Sequence, residues 1–174
     1  MSTPDSEQRY KIPESVLVVI HTPDLRVLVL ERADRAGFWQ SVTGSKDSLE
    51  ENLMDTACRE VREETGITVE RRQQPESDTL NRASVRDLHD WQHSIEYEIY
   101  PHWRHRYAPG VTRNREHWFS LCVPEGISVR VNPREHTQFE WLPYQQAALR
   151  CFSRSNQEAI LALPERLRTH TNGL

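Results

Sequence analysis

Glu60, Glu63 and Glu64 stand as E-x-x-E-E within residues 59–67, REVREETGI, the densest chemical signal in this 174-residue chain. At about 100° per residue, Glu60 and Glu64 stack on one helix face and Glu63 flanks it. Leu53, Ala57 and Val61 recur at four-residue spacing beside that face, and Met54 and Cys58 widen the apolar stripe. Asp55, Arg59 and Arg62 fall on the far side. The spacing therefore predicts carboxylates along the edge of a buried stripe. Three converging carboxylates raise one another's pKa unless a cation neutralises them. An all-oxygen cluster suits a hard divalent cation, Mg²⁺ first and Mn²⁺ second. The plainer reading is a solvated acidic face with an Arg59–Glu63 i,i+4 pair.

The elements that must position these groups follow from periodicity. A helix is predicted from about Asn52 to Thr65, with Gly66 as its C′ residue. Residues 15–21 (SVLVVIH) read as a central strand, and 26–32 (RVLVLER) pairs with it as a hairpin. Residues 38–43 run extended into Gly44. Residues 94–100 (SIEYEIY) alternate, with Ile95, Tyr97 and Ile99 on one face and Glu96, Glu98 and Tyr100 on the other. Further strands are predicted at 117–123, 127–131 and 139–142. A short helix runs from Pro143 to about Arg150. A terminal helix spans 156–168, kinked or divided by Pro164. Residues 1–9 read as a polar flexible tail, 10–174 as a single domain, and 68–90 as a surface insertion. Strands and helices without βαβ regularity predict an α/β fold with a mixed sheet.

Composition excludes several classes. A net charge of −4 argues against a dedicated nucleic-acid or membrane-surface binder. The longest apolar run, 16–20, is too short to cross a bilayer, and the N-terminus lacks the apolar core of a signal peptide. The three cysteines, Cys58, Cys122 and Cys151, form no C-x-x-C and read as reduced, buried small hydrophobes in a cytoplasmic protein. His102 and His105 resemble half of a zinc site but lack a third ligand at suitable spacing. The basic and aromatic run 102–107 is read as a structural loop, closed by the Pro109-Gly110 turn.

Residues 44–67 resemble the Nudix box, in which a glycine is followed by a glutamate and then by R-E-U-x-E-E-x-G-U, U being a bulky aliphatic residue. Arg59, Glu60, Val61, Glu63, Glu64, Gly66 and Ile67 match at the family spacing. One extra residue before the helix leaves the earlier glutamate to either Glu50 or Glu51. The resemblance implies the Nudix α/β/α sandwich, with helices on both faces of a mixed sheet. It also implies metal-dependent hydrolysis of a nucleoside diphosphate linked to another group. Glu60 and Glu64 then ligate the metal. Glu63 either binds it through water or orients Arg59. Glu135, in the loop 132–136, is a further metal ligand or the general base, with His136 beside it a weaker candidate.

Segments outside the box resemble a bacterial folate-pathway branch of the family that cleaves a pterin triphosphate to its monophosphate and pyrophosphate. These segments are Tyr10-Lys11-x-Pro13, WQSVTGS at 39–45, EYEIY at 96–100, RHRYAPGVTRN at 104–114, Glu135-His136 and Ser155-Asn156. By that resemblance Lys11, Arg32 and Thr43 contact phosphates. Tyr97 or Tyr100 stacks on the ring, Glu98 and backbone near Ile99 pair with its amide-like edge, and Ser153 is a further contact. A small-molecule triphosphate is thus the expected partner, with neither nucleic acid nor membrane. The alternative substrate is a (d)NTP such as dATP or an oxidised purine nucleotide. A catalytically inert nucleotide-binding module is disfavoured because all three helix carboxylates are present.

Overall fold

Seven of the eight residues of β1 (Glu14–His21) are buried, so this strand must be covered on both faces and paired on both edges. In the computed structural model, which describes residues 10–70, 82–84 and 87–171, both conditions are met. β1 runs parallel to β8 (Arg113–Cys122) over its whole length, from Glu14 opposite Arg115 to His21 opposite Cys122. Its other edge is shared. β2 (Arg26–Arg32) meets it antiparallel at His21 and Val27, and β4 (Val42–Ser45) pairs antiparallel with 15–18. The expected hairpin is therefore confined to its turn end. Beyond it β2 pairs with β3 (Trp39–Gln40) at Leu30 and Glu31, while β9 (His136–Pro143) runs antiparallel along the whole of β2. The segment 39–45 thus crosses from the β2 edge to the β1 edge and delivers Thr43 and Gly44 to the centre of the sheet.

The strand order is β3-β2-β1-β8-β7, with β4 on β1 and β9 on β2. Alternate residues serve alternate faces. Val16, Val18, Ile20, Phe119 and Leu121 pack with Ala57 and Val61 of α1 (Leu53–Thr65). Leu17, Val19 and Trp118 pack with Ala147 of α2 (Tyr144–Arg150) and Ile160 and Leu163 of α3 (Arg154–Thr171). The result is the mixed sheet with helices on both faces that the sequence predicts. Cys151 is buried, whereas Cys58 and Cys122 are only half-buried, and all three are free thiols. No helix among the described residues is long and apolar enough to cross a membrane.

Several boundaries differ for physical reasons. β7 spans Leu88–Glu98, six residues longer at its start than the alternation indicates. A bulge between Asp90 and Ser94, with Gln92 at φ 49°, breaks the period there. Part of the expected insertion is thus sheet, and β5 (Thr68–Glu70) pairs in parallel with β6 (Arg82–Ser84). The expected tail at 1–9 and positions 71–81 and 85–86 of the insertion lie outside the described residues. Residues 127–131 form no strand, and the amides of Arg130 and, just beyond, Asn132 cap a helix instead. Arg130 N donates to Thr65 O (2.8 Å) and Asn132 N to Glu64 O (3.3 Å). α3 starts at Arg154, where Asn156 N donates to Ser153 Oγ (3.3 Å), and continues through Pro164 as one helix. β8 begins at Arg113, its polar first turn-in having hidden it from a reading based on apolar runs.

Candidate active site

The site is assembled where α1 faces the crossing segment. Asn52 caps α1, its Oδ1 accepting from Asp55 N (2.8 Å), and Gly66 ends it at φ 72°, a left-handed conformation suited to glycine. Arg59 then ties the helix to the loop before it. Its Nε and Nη2 donate to Glu51 (2.9 and 3.1 Å), Nη2 to Ser45 O (2.9 Å) and Nη1 to Glu60 Oε1 (2.8 Å). Glu51 also accepts from Asp47 N (2.7 Å). Of the two candidates, Glu51 is therefore the loop glutamate engaged with the box arginine. The Arg59 guanidinium holds the Glu51 carboxyl down at about 2. Glu63 is exposed and accepts from Arg59 Nη1 at 3.3 Å, in keeping with an orienting part.

Glu60 is 8% exposed and Glu64 1%. Burial, and after it the charge of Glu64, pushes Glu60 up to about 8. Burial and the charge of Glu135 raise Glu64 well above the usual carboxylate range, against a hydrogen bond from the Thr43 backbone. His136 Nε2 lies 3.0 Å from Glu64 Oε2, and Nδ1 lies 3.3 Å from Glu31 O. Burial depresses the pKa of this histidine, so the neutral ring suits it as a hydrogen-bond partner. Glu135 is exposed, and its Oε1 accepts from Asn132 Nδ2 (2.9 Å). Because Asn132 N is anchored on the last turn of α1, the loop brings Glu135 beside the helix. Ligand atoms of Glu64, Glu135 and His136 lie within 4.8 Å of one another.

These residues fit a divalent cation. Their carboxylate oxygens and a neutral imidazole are the donor set a hard divalent cation accepts, and such a charge would offset the burial that raises Glu60 and Glu64. Glu60 is held apart from that cluster, folded against Gly44. A Cβ at position 44 would stand 1.9 Å from Glu60 Cδ, so this glycine is the space into which the carboxylate fits. The obstructing atom is the end of a flexible side chain. Gly44→Ala is therefore expected to leave the melting temperature little changed. It should weaken apparent cation affinity about tenfold, measured by titrating Mg²⁺ against activity.

A cation must also displace the proton that Glu60 carries below about pH 8. The ionised form, which binds, grows as pH rises. Apparent Mg²⁺ affinity is accordingly expected to rise about 25-fold between pH 6.5 and 8.5 and then level off. Cation titrations across that range would check it, and a flat profile would contradict the assignment.

Beside the carboxylates opens a cavity of about 750 Å³, joined through Lys11, Thr43, Gly44 and Glu135 to a cleft of about 320 Å³ that Glu60 and Glu63 also line. A ligand site of this size suits a small molecule. Lys11, Arg32, Arg106 and Arg134 put positive charge around the cavity. Burial and the neighbouring Arg106 lower the pKa of Lys11. Arg32 is braced by Asp34 (2.7 Å), Gln40 Oε1 (3.1 Å) and the Trp103 ring, 4.9 Å from its guanidinium carbon. Thr43 Oγ1 accepts from Gln40 Nε2 (3.1 Å).

The expected ring contacts divide. Tyr97 lines the cavity and its OH accepts from Asn114 Nδ2 (3.2 Å); burial raises its pKa. Tyr100, 46% exposed, stacks on His102 at the mouth. Glu98 is an exposed residue paired with Arg104 (2.7 Å), and Ile99 is buried. Ser153 lines the cavity while capping α3. The sequence reading missed Asn114 and Glu116 of β8, which the fold places in the cavity wall. Their signal was the alternation Asn114, Glu116, Trp118 extended back from the apolar part of the strand.

An R-E-x-x-E-E helix with Glu60 and Glu64 buried, a crossing glycine and a carboxylate supplied from a distant loop are the parts of a Nudix centre. The NUDIX domain family pattern matches residues 11–163, and the chain belongs to the Nudix hydrolase family. It is similar to the dihydroneopterin triphosphate diphosphatase of Escherichia coli K12, 44% identical over 152 residues that cover 87% of this chain and 91% of that protein. The enzyme of the same name from Haemophilus influenzae is 42% identical, covering 87% of each. The solved structure of the E. coli dihydroneopterin triphosphate pyrophosphohydrolase superposes with a TM-score of 0.71, covering 87% of this chain and 94% of that one.

Proposed function

We propose that this chain hydrolyses 7,8-dihydroneopterin triphosphate to the monophosphate and pyrophosphate, with Mg²⁺ as the cation, in cytoplasmic folate biosynthesis. The observation that carries this reading is the junction of the carboxylate cluster with a cationic, tyrosine-lined cavity large enough for a bicyclic ring. The identity to relatives of that activity over most of the chain supports it.

In the reaction, water oxygen bonds to a phosphorus, the bridging P–O bond breaks, pyrophosphate departs and the water proton passes to a base. Glu60, Glu64 and Glu135 would hold the cation, which supplies charge neutralisation to the polyphosphate. Lys11 and Arg32 face the remaining phosphate charge, Arg32 with a planar fork already braced. His136 orients Glu64. Glu135, exposed at the cleft and held by Asn132, would take the proton on its free oxygen. Pyrophosphate release from a panel of triphosphates, with and without Mg²⁺, tests this reading. A kcat/KM higher for dATP than for the pterin would replace it with a nucleotide pyrophosphohydrolase.

A further inference from the structure

Glu116 is 3% exposed and lines the cavity, yet the phosphate chemistry does not use it. Its Oε1 accepts from Trp118 Nε1 (3.1 Å), and the Ser155 side chain donates a second bond. A carboxylate offers about four lone-pair sites, so accepting capacity remains. No lysine, arginine or histidine among the described residues forms an ion pair with it, and burial pushes it up to about 7. Asn114, two residues earlier on the same strand face, donates both amide hydrogens, to Ser15 Oγ (2.7 Å) and Tyr97 OH (3.2 Å). Its Oδ1 is buried without a partner. This wall is rich in acceptors and short of donors, and a buried acceptor left unanswered is destabilising. A ligand that completes it must bring adjacent N–H groups.

We propose that Glu116 is the specificity-determining residue of this cavity, its carboxylate accepting the ring N–H and the exocyclic NH₂ of a 2-amino-4-oxo heterocycle. This rests on the pterin triphosphate reading and names the residue that reads the ring. The matching edge of adenine offers one donor beside a ring-nitrogen lone pair, which the carboxylate repels. Glu98, the sequence candidate for this contact, also lines the cavity, but its carboxylate is exposed and already accepts from Arg104 Nη2.

The test is the ratio of kcat/KM for 7,8-dihydroneopterin triphosphate to that for dATP, in the wild type and in Glu116→Gln. Glutamine keeps one acceptor and replaces the other with a donor, which opposes the pterin edge and complements adenine. One such two-point contact discriminates by about 1–3 kcal/mol, so the ratio is expected to fall about ten- to a hundredfold. A ratio that stays within about twofold in the folded variant overturns the assignment. A second arm needs only the wild type: 7,8-dihydroneopterin should compete at least about tenfold better than its 3-methyl derivative, whose ring N–H is blocked. Equal potency, including no inhibition by either, also overturns it. A wild type that does not cleave the pterin triphosphate removes the parent reading as well. Cleavage with an unchanged ratio removes only the role of Glu116.

Discussion

Glu64→Gln is expected to lower Mg²⁺-dependent pyrophosphate release about a thousandfold or more, roughly 4 kcal/mol of transition-state stabilisation, without unfolding the protein. The two effects separate because Glu64 is costly to the fold yet, on the proposed reading, a ligand of the cation. Its carboxylate is 1% exposed, close to Glu135 and Glu60, and raised well above its ordinary pKa. Glutamine preserves the shape, offers an N–H to His136 Nε2 and an oxygen to Thr43 N, and it removes the cost of ionising or protonating a buried carboxyl. Without Mg²⁺ the variant should therefore melt at or above the wild-type temperature. Added Mg²⁺ should raise the melting temperature of the wild type and barely move that of the variant. Full activity in Glu64→Gln, or an equal Mg²⁺ shift in both proteins, would contradict the metal assignment.

Arg59→Ala should do the opposite and damage the scaffold first. The guanidinium is 16% exposed and joins Glu51, Ser45 and Glu60, so its removal leaves carboxylates facing one another with no cation between them. A loss of about 2–3 kcal/mol in unfolding free energy is expected from breaking a largely buried network, measured by urea denaturation at pH 7. The pH dependence has a defined sign. Glu51 titrates at about 2 in the folded protein, below its ordinary 4.5, so its contribution is present above pH 4.5 and fades as pH falls towards 2. The stability gap between wild type and variant should narrow over that window. Arg59→Lys should recover only part of it, because a point charge cannot bridge Glu51 and Ser45 O with the same fork.

Much of this site was legible because its parts are local. Glu60, Glu63 and Glu64 belong to one helix, and 3.6 residues per turn sets their relation to the Ala57–Val61 stripe whatever else the chain does. The mixed sheet and its two helical layers were legible for the same reason, since apolar period and length separate strands from helices. Non-local pairing was not. Nothing in residues 26–32 announces that β2 meets β1 only at Val27 and pairs along its whole length with β9, more than a hundred residues away. Nothing in 127–131 announces that the Arg130 amide serves the end of α1 rather than a neighbouring strand.

The contrast is sharpest in the carboxylates. The spacing E-x-x-E-E and the preceding glycine determined that an acidic helix edge exists and that a divalent cation would suit it. The tertiary structure decided which groups share that edge. It put Gly44 against Glu60, Glu51 rather than Glu50 on Arg59, and Glu135 and His136 beside Glu64. It also paired Glu98 with Arg104 at the exposed side of the cavity and buried Glu116 in its wall. A helix carries its own geometry in its sequence, whereas a site built from β8, the loop 132–136 and α1 exists only once distant backbone has been paired.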